Sequence, residues 1–268
     1  MAQAQLERAP KHSAAEWAAA VVSWRRLLGL TMGASTVSVL GRIGGERVPQ
    51  GVTRWWSDQV VRGLGIELVA DGLDRAAAAA PCIIVANHCS QLDIPVVGAV
   101  LEIDYRWVAK KELFRLPFVG WHLTACGHIP VNRQKGGNFD RMIAQIDAVL
   151  ERGLSVLFFP EGTRSQDGAM KSFRSGAFNV AVRTGVPVLP VVIDGTERLL
   201  EKGSIRYPGR GAKRVQVRVL EAIAPPEPAA GQRFEDRVAA LKKQTRDAMI
   251  ATLDELRGAE GAALRPTR

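Results

Sequence analysis

Long apolar runs are scarce in this chain. The uninterrupted apolar stretch of its N-terminal region extends only from Leu27 to Leu40, short of the roughly 20 residues an α-helix needs to cross a bilayer. Cysteine is scarce too: Cys82, Cys89 and Cys126 are an odd set of three with no CxxC spacing. That argues against a disulfide framework and suits a reducing compartment. There is no long Lys/Arg block and no nucleic-acid-binding motif, so nucleic acid is not an expected partner. The opening segment "MAQAQLERAPKHSAAEW" has mixed charge and no apolar centre, so a secretory signal is not expected there.

Other properties are positive constraints. Hydrophobic residues make up 47% of the 268, ample for a sizeable core and incompatible with a largely disordered protein. The length allows one large domain, or one domain with an appendage. A net charge of +9, spread along the chain, favours an anionic partner such as a phosphate-bearing substrate or an acidic lipid surface.

Two helical segments open the chain. "SAAEWAAAVVSWRRLLGLTMGASTVSVLGRIGG" is Ala-rich and then apolar, with Arg25 and Arg26 interrupting it, and "VTRWWSDQVVRGLG" is amphipathic. They suit either a buried helix pair or helices lying in one leaflet of a membrane. Residues 1–62 are accordingly expected to be a membrane-apposed helical appendage, and residues 63–268 an α/β domain. From Ile66 the pattern changes. "IELVAD", "CIIVA", "YRWVA", "HIPV", "LSVLFF", "PVLPVVI" and "RVQVRVL" read as strands, several apolar throughout as buried strands are. "IPVVGAVLE", "FDRMIAQIDAVLERG" and "SGAFNVAVRTG" between them read as helices, two closed by Gly153 and Gly185. Such alternation predicts a mixed, largely parallel sheet flanked by helices. After the linker "APPEPAAGQ" comes an amphipathic C-terminal helix.

Three stretches could carry chemistry. In "NHCSQLD", His88 and Asp93 follow the apolar run "CIIVA", where an α/β sheet places ligands beyond its strand ends. The plainer reading makes Asp93 the N-cap of a helix starting at Ile94, with Pro95 in its first turn. The functional reading makes His88 a general base with Asp93 fixing its tautomer. In "LSVLFFPEGTRSQDG", Glu161, Gly162, Thr163 and Arg164 form a polar turn after a buried strand. Gly162 admits close backbone approach, Thr163 offers a hydroxyl, and Arg164 a planar fork for phosphate, with Lys171 and Arg174 adding charge downstream. The alternative is an ordinary strand-to-helix turn with a surface Arg. In "YRWVAKKELFRLPFVGWHLTACGHIPVNR", basic residues surround apolar ones. It could seat a phosphate with an acyl tail, rest on an anionic membrane, or be core with a solvated face.

Four motifs then occur in order: "NHCSQLD", "GHIPVNR", "FPEGTRS" and "VPVLPVVI". On these the stretch from Cys82 to Ile193 resembles the lysophospholipid acyltransferases that make phosphatidic acid from 1-acylglycerol-3-phosphate. Asn132 departs from that pattern, standing where many relatives carry Asp before the Arg. The resemblance implies a 1-acylglycerol-3-phosphate O-acyltransferase with His88 as base and Asp93 as its orienting partner. It implies Glu161, Gly162 and Arg164 as glycerol-phosphate binding residues, with Arg133 assisting and Lys110 as a further phosphate contact. Thr163 is placed in the same substrate-binding set for its hydroxyl. The implied partners are lysophosphatidic acid, an acyl thioester (acyl-CoA or acyl carrier protein) and an anionic membrane surface on the cytoplasmic face. No cofactor or metal is expected beyond the donor.

Competing readings stand beside this one. Cys89 could be an acylated nucleophile, although a buried spectator thiol is the commoner case. His88, Asp93, His122 and His128 could bind a metal, although no compact H-x3-H or HExxH pattern supports it. The acceptor could be a lyso-ornithine lipid or another hydroxylated lipid, and a non-enzymatic binder of acidic membranes is the alternative outside catalysis.

Overall fold

The runs "CIIVA", "LSVLFF" and "PVLPVVI" lack polar alternation because the strands they form occupy the middle of a sheet. In the computed structural model, which describes residues 14–45, 47–132, 139–200, 203 and 213–263, they become β2 (Ile83–Ala86), β5 (Ser155–Phe158) and β6 (Val188–Asp194), buried along their whole lengths. Four further strands, β1 (Glu67–Asp71), β3 (Tyr105–Lys110), β4 (Ile129–Val131) and β7 (Arg214–Val219), complete a seven-stranded sheet of order β1-β7-β6-β2-β5-β3-β4. β7 runs antiparallel to β6, and every other neighbouring pair is parallel. The mixed, largely parallel sheet expected from the alternation is therefore the one observed.

Successive residues of a strand face opposite sides, and the core divides accordingly. Ile83, Val85, Val156 and Phe158 pack with α6 (Phe139–Leu150), α7 (Gly176–Thr184) and the C-terminal α9 (Phe234–Ala263) through Ile146, Phe178, Leu241 and Met249. Ile84, Ala86, Leu157 and Leu189 pack on the other side with α4 (Asp93–Val100) and with Ala76 of the short α3 (Asp74–Ala79). α5 (Val119–Ala125) precedes β4, and α8 (Thr196–Leu199) follows β6 as a single turn.

The N-terminal region forms α1 (Ala14–Gly41) and α2 (Arg47–Gly63). Arg25 and Arg26 do not break α1, which runs through them. α2 packs on α4, and α1 packs on α2 and α5. Part of this docking is polar and buried. Gln50 Nε2 donates to the Tyr105 carbonyl at 2.7 Å. His122 of α5 has Ser38 Oγ of α1 2.8 Å from Nδ1 and Thr53 Oγ1 of α2 3.0 Å from Nε2. Burial pushes the His122 pKa down to about 4. Apolar side chains also stand exposed in this region: Val22, Leu28 and Leu40 on α1, Trp55 on α2, and Ile43, at 93%, in the turn between the helices. Among the described residues no helix is long and apolar enough to cross a membrane.

Candidate active site

Three adjacent parallel strands, β6, β2 and β5, end at the same edge of the sheet, and the residues following each of them meet there. After β2, the Asn87 side chain continues the sheet where its backbone departs. Its Nδ2 donates to the Ile193 carbonyl and its Oδ1 accepts the Ile193 N–H, both at 2.8 Å. The chain thus leaves β2 in a fixed direction, and His88 follows.

His88 is held by backbone and ring alike. Its N–H donates to Glu161 Oε1 at 2.8 Å, and its carbonyl accepts the Ser165 N–H at 2.8 Å. The ring stacks on Phe159 with centroids 4.3 Å apart, and Nδ1 lies 2.7 Å from Asp93 Oδ2. A carboxylate only accepts, so Nδ1 carries a proton, and in the neutral ring the lone pair is on Nε2. The His88 side chain retains 16% exposure, against 1% for Asp93.

Asp93 is the first residue of α4, with Leu92 in the capping position. The expected cap is thus displaced: its carboxylate does not serve the first turn of the helix but reaches back over the preceding loop. Oδ2 accepts the N–H groups of Cys89 at 2.8 Å and Ser90 at 2.9 Å besides the His88 ring, and Oδ1 accepts the hydroxyl of Thr196. A buried carboxylate without such donors would be costly; here both oxygens are engaged.

After β5 comes the turn Glu161-Gly162-Thr163-Arg164. Glu161 is buried, and burial raises its pKa while two N–H donors, from Lys171 and His88, oppose the shift. The Lys171 N–H meets Oε2 at 2.9 Å. The carboxylate therefore ties the backbone of His88 to the far end of the loop that Glu161 begins. Gly162 has φ +71°, and a Cβ there would lie 2.5 Å from Arg174 Nε, so a side chain would displace that guanidinium. Thr163 is exposed and Arg164 half-buried; the Arg164 carbonyl accepts from Lys171 Nζ at 3.0 Å. The C-terminal helix grips the same loop: Arg246 donates to the Lys171 and Met170 carbonyls, and Arg257 to that of Gly168.

Lys110 is the last residue of β3, exposed and 3.8 Å from Glu112. β3 is parallel to β5, which places Lys110 at the same sheet edge as the other groups. Arg133 lies outside the described residues. Of the sequence-derived candidates, His88, Asp93 and Glu161 are joined by hydrogen bonds, and Gly162, Thr163 and Arg164 share one turn with Glu161. Sequence reasoning missed the parts played by Thr196, Asn87 and the Lys171 N–H, and noted Arg174 only for its charge. A Gly-Thr pair directly after the strand "PVVID" is the signal that could have drawn attention to Thr196.

The thiol reading of Cys89 finds little support. Its Sγ is buried, 3.9 Å from the Gly168 carbonyl, and burial with the nearby Asp93, Glu197 and Glu161 carboxylates pushes its pKa up. A nucleophile would need the thiolate. For a metal, the described residues bring together His122, Cys126 and His128, whose ligand atoms lie within 4.8 Å of one another, a group that does not include His88 or Asp93. His128 Nδ1 accepts the Trp107 N–H at 3.1 Å. That leaves the ring proton on Nε2, with no lone pair there for a cation.

The chain as a whole also resembles known proteins. Residues 67–194 match the family model described as Acyltransferase. The chain is 36% identical over 135 residues to the chloroplastic 1-acyl-sn-glycerol-3-phosphate acyltransferase BAT2 of Brassica napus, covering 50% of this chain and 39% of that protein. It is 31% identical over 193 residues to the 1-acyl-sn-glycerol-3-phosphate acyltransferase alpha of Ovis aries, covering 72% and 64%. The matched part thus spans less than two thirds of these curated relatives. The crystal structure of the 1-acyl-sn-glycerophosphate (LPA) acyltransferase PlsC from Thermotoga maritima superposes with a TM-score of 0.75 at 22% identity, covering 95% of this chain and 98% of that one. At that identity the likeness establishes the fold.

Proposed function

Because the chain belongs to the acyltransferase family that includes the 1-acyl-sn-glycerol-3-phosphate acyltransferases, we propose that it moves a fatty acyl group from a thioester donor to the free hydroxyl of 1-acylglycerol-3-phosphate. The product is phosphatidic acid. One observation carries the reading: Asp93 holds His88 Nδ1 at 2.7 Å, leaving Nε2 as a base beside the Glu161–Arg164 turn.

An alcohol is too weak an acid to ionise beforehand, so its proton leaves in the transition state. His88 Nε2 takes that proton as the hydroxyl oxygen attacks the thioester carbonyl carbon. Asp93 stabilises the imidazolium so formed. The tetrahedral intermediate collapses by breaking the C–S bond, and the departing sulfur recovers the proton from His88. The thiol leaves and the new ester remains. Arg164, with Lys110 and Arg133, holds the acceptor's phosphate, while Gly162 and Thr163 shape the turn around it. This fixes the hydroxyl near Nε2 and turns binding into orientation. The donor is acyl-CoA or acyl carrier protein.

The apolar side chains exposed on α1, on α2 and between them support the reading of residues 1–62 as a membrane-apposed segment, on what we take to be the cytoplasmic face. The test uses purified enzyme, lysophosphatidic acid and an acyl thioester, reading thiol release and phosphatidic acid. His88→Ala should lose about 100-fold or more of turnover while melting as the wild type does. Near-normal transfer by His88→Ala would overturn the mechanism. Equal transfer to a phosphate-free lyso-lipid would overturn the assigned acceptor.

A further inference from the structure

Asp93 makes four hydrogen bonds, and three of them crowd one oxygen. Oδ2 accepts from His88 Nδ1, Cys89 N and Ser90 N. Oδ1 accepts from the hydroxyl of Thr196, a fully buried residue 103 positions further along the chain. Since a carboxylate cannot donate, the hydroxyl must. We propose that Thr196 is a positioning residue, whose hydroxyl fixes the plane of the Asp93 carboxylate and thereby aims the His88 ring. The proposal rests on the reading of His88 as the base.

The surroundings of Thr196 are built to hold it there. β6 ends at Asp194, a buried carboxylate held by Arg257 at 2.8 Å and Arg198 at 3.1 Å. Gly195 then turns the chain at φ +100°, where a Cβ would lie 2.6 Å from the Arg214 carbonyl of β7. Only glycine accommodates both the left-handed angle and that approach. The turn closes through Leu200 N–H to the Thr196 carbonyl at 3.0 Å. A second stitch joins it to the His88–Asp93 loop, from Ser90 Oγ to the Leu200 carbonyl at 2.7 Å. The loop after β2 and the turn after β6 are thus fastened at two points, and the Thr196 hydroxyl is the one that touches the carboxylate.

The chemical consequence has a definite sign. The Thr196 hydroxyl draws charge from Oδ1. Without it the buried oxygen loses its side-chain donor, the carboxylate concentrates charge toward His88, and the plane is freer to rotate. Imidazolium would be favoured at rest, while the ring would spend less time aimed at the substrate. The charged and ionisable groups around this spot include Glu161 from the turn after β5, Glu197 from α8, the Cys89 thiol beside Asp93, and Arg257 of α9, which lies 3.6 Å from Glu197 and donates to Asp194 and the Gly168 carbonyl. None of them replaces the lost donor.

The experiment compares Thr196→Val, Thr196→Ser and His88→Ala in the full chain, using thioester release with 1-acylglycerol-3-phosphate across pH. Thr196→Val should lower kcat by about tenfold, part of the contribution of a well-aimed base. The KM for the acceptor should stay within about twofold, because the phosphate turn is untouched. The acid limb of the kcat/KM profile should move to higher pH, and Thr196→Ser should restore both rate and limb. Wild-type kcat and an unmoved limb in Thr196→Val, with His88→Ala inactive, would overturn the positioning role alone. So would equal losses in the Val and Ser variants with a lowered melting temperature and an unmoved limb, which would mark a packing role. An active His88→Ala would instead remove the base on which the proposal depends.

Discussion

Glu161 shows how a charged side chain can shape a site through its grip on the backbone. Its two oxygens take the N–H groups of His88 and Lys171, so replacing the carboxylate with an amide leaves one of those donors facing an NH2 group. We expect Glu161→Gln to cost about 1–3 kcal/mol, the usual penalty for a buried donor left without an acceptor. The kcat should fall and the acceptor KM should rise together. A denaturation curve with parallel kinetics checks this, and a stable variant with altered KM alone would contradict it. The His88–Asp93 pair was legible as a candidate from a short spacing, and as a pair through the family resemblance, because only one loop separates His88 from the helix start at Asp93. The Thr196 hydroxyl was not, since it comes from across the sheet and no local pattern encodes that neighbour. Asp93 shows both sides of the matter: its place at the helix start was readable to within a residue, but the direction of its carboxylate was not.

Helix α1 was readable from its composition, and α2 from its amphipathic spacing; how they dock was not. Ser38, Thr53 and His122 look like incidental polar residues in apolar segments, and only the packing of α1, α2 and α5 brings them into one buried group. That group makes the docking sensitive to pH. His122 has a folded pKa of about 4, below its usual 6.5, because burial disfavours the charged ring. The unfolded chain therefore binds more protons between these values, and stability falls as pH drops from about 6.5 to about 4. His128, buried and likewise shifted down, adds to the fall with the same sign. Denaturation midpoints at about pH 7 and about pH 5 should differ less in His122→Gln than in the wild type. An equal difference in both would show that His122 has no part in it.

The seven strands were all legible as short β-rich runs, several of them apolar throughout, yet their order was not, because the sequence does not state which strand pairs with which. The β6-β2-β5 adjacency is what gathers three motif ends at one edge. Beside this frame the chain exposes apolar side chains on α1, on α2 and between them, and it carries a net charge of +9. Binding to vesicles of anionic lipid should therefore weaken with added salt. Leu40→Asp combined with Ile43→Asp should reduce it by about tenfold or more. These surface changes should alter folding stability by only about 0.5 kcal/mol each. Unchanged vesicle sedimentation for the double variant would count against the anchoring face. Within the site, the Glu161 carboxylate joins the backbone of His88 to that of Lys171; on the proposed mechanism this couples the base to the loop that would hold the acceptor's phosphate, so occupancy at one end and geometry at the other would be thermodynamically linked. The linkage is reciprocal: whatever phosphate binding does to favour the working pose of His88, that pose returns to phosphate affinity. An acceptor stripped of its phosphate should then be a slow substrate even at saturation, since the binding energy it forgoes is part of what aims the base.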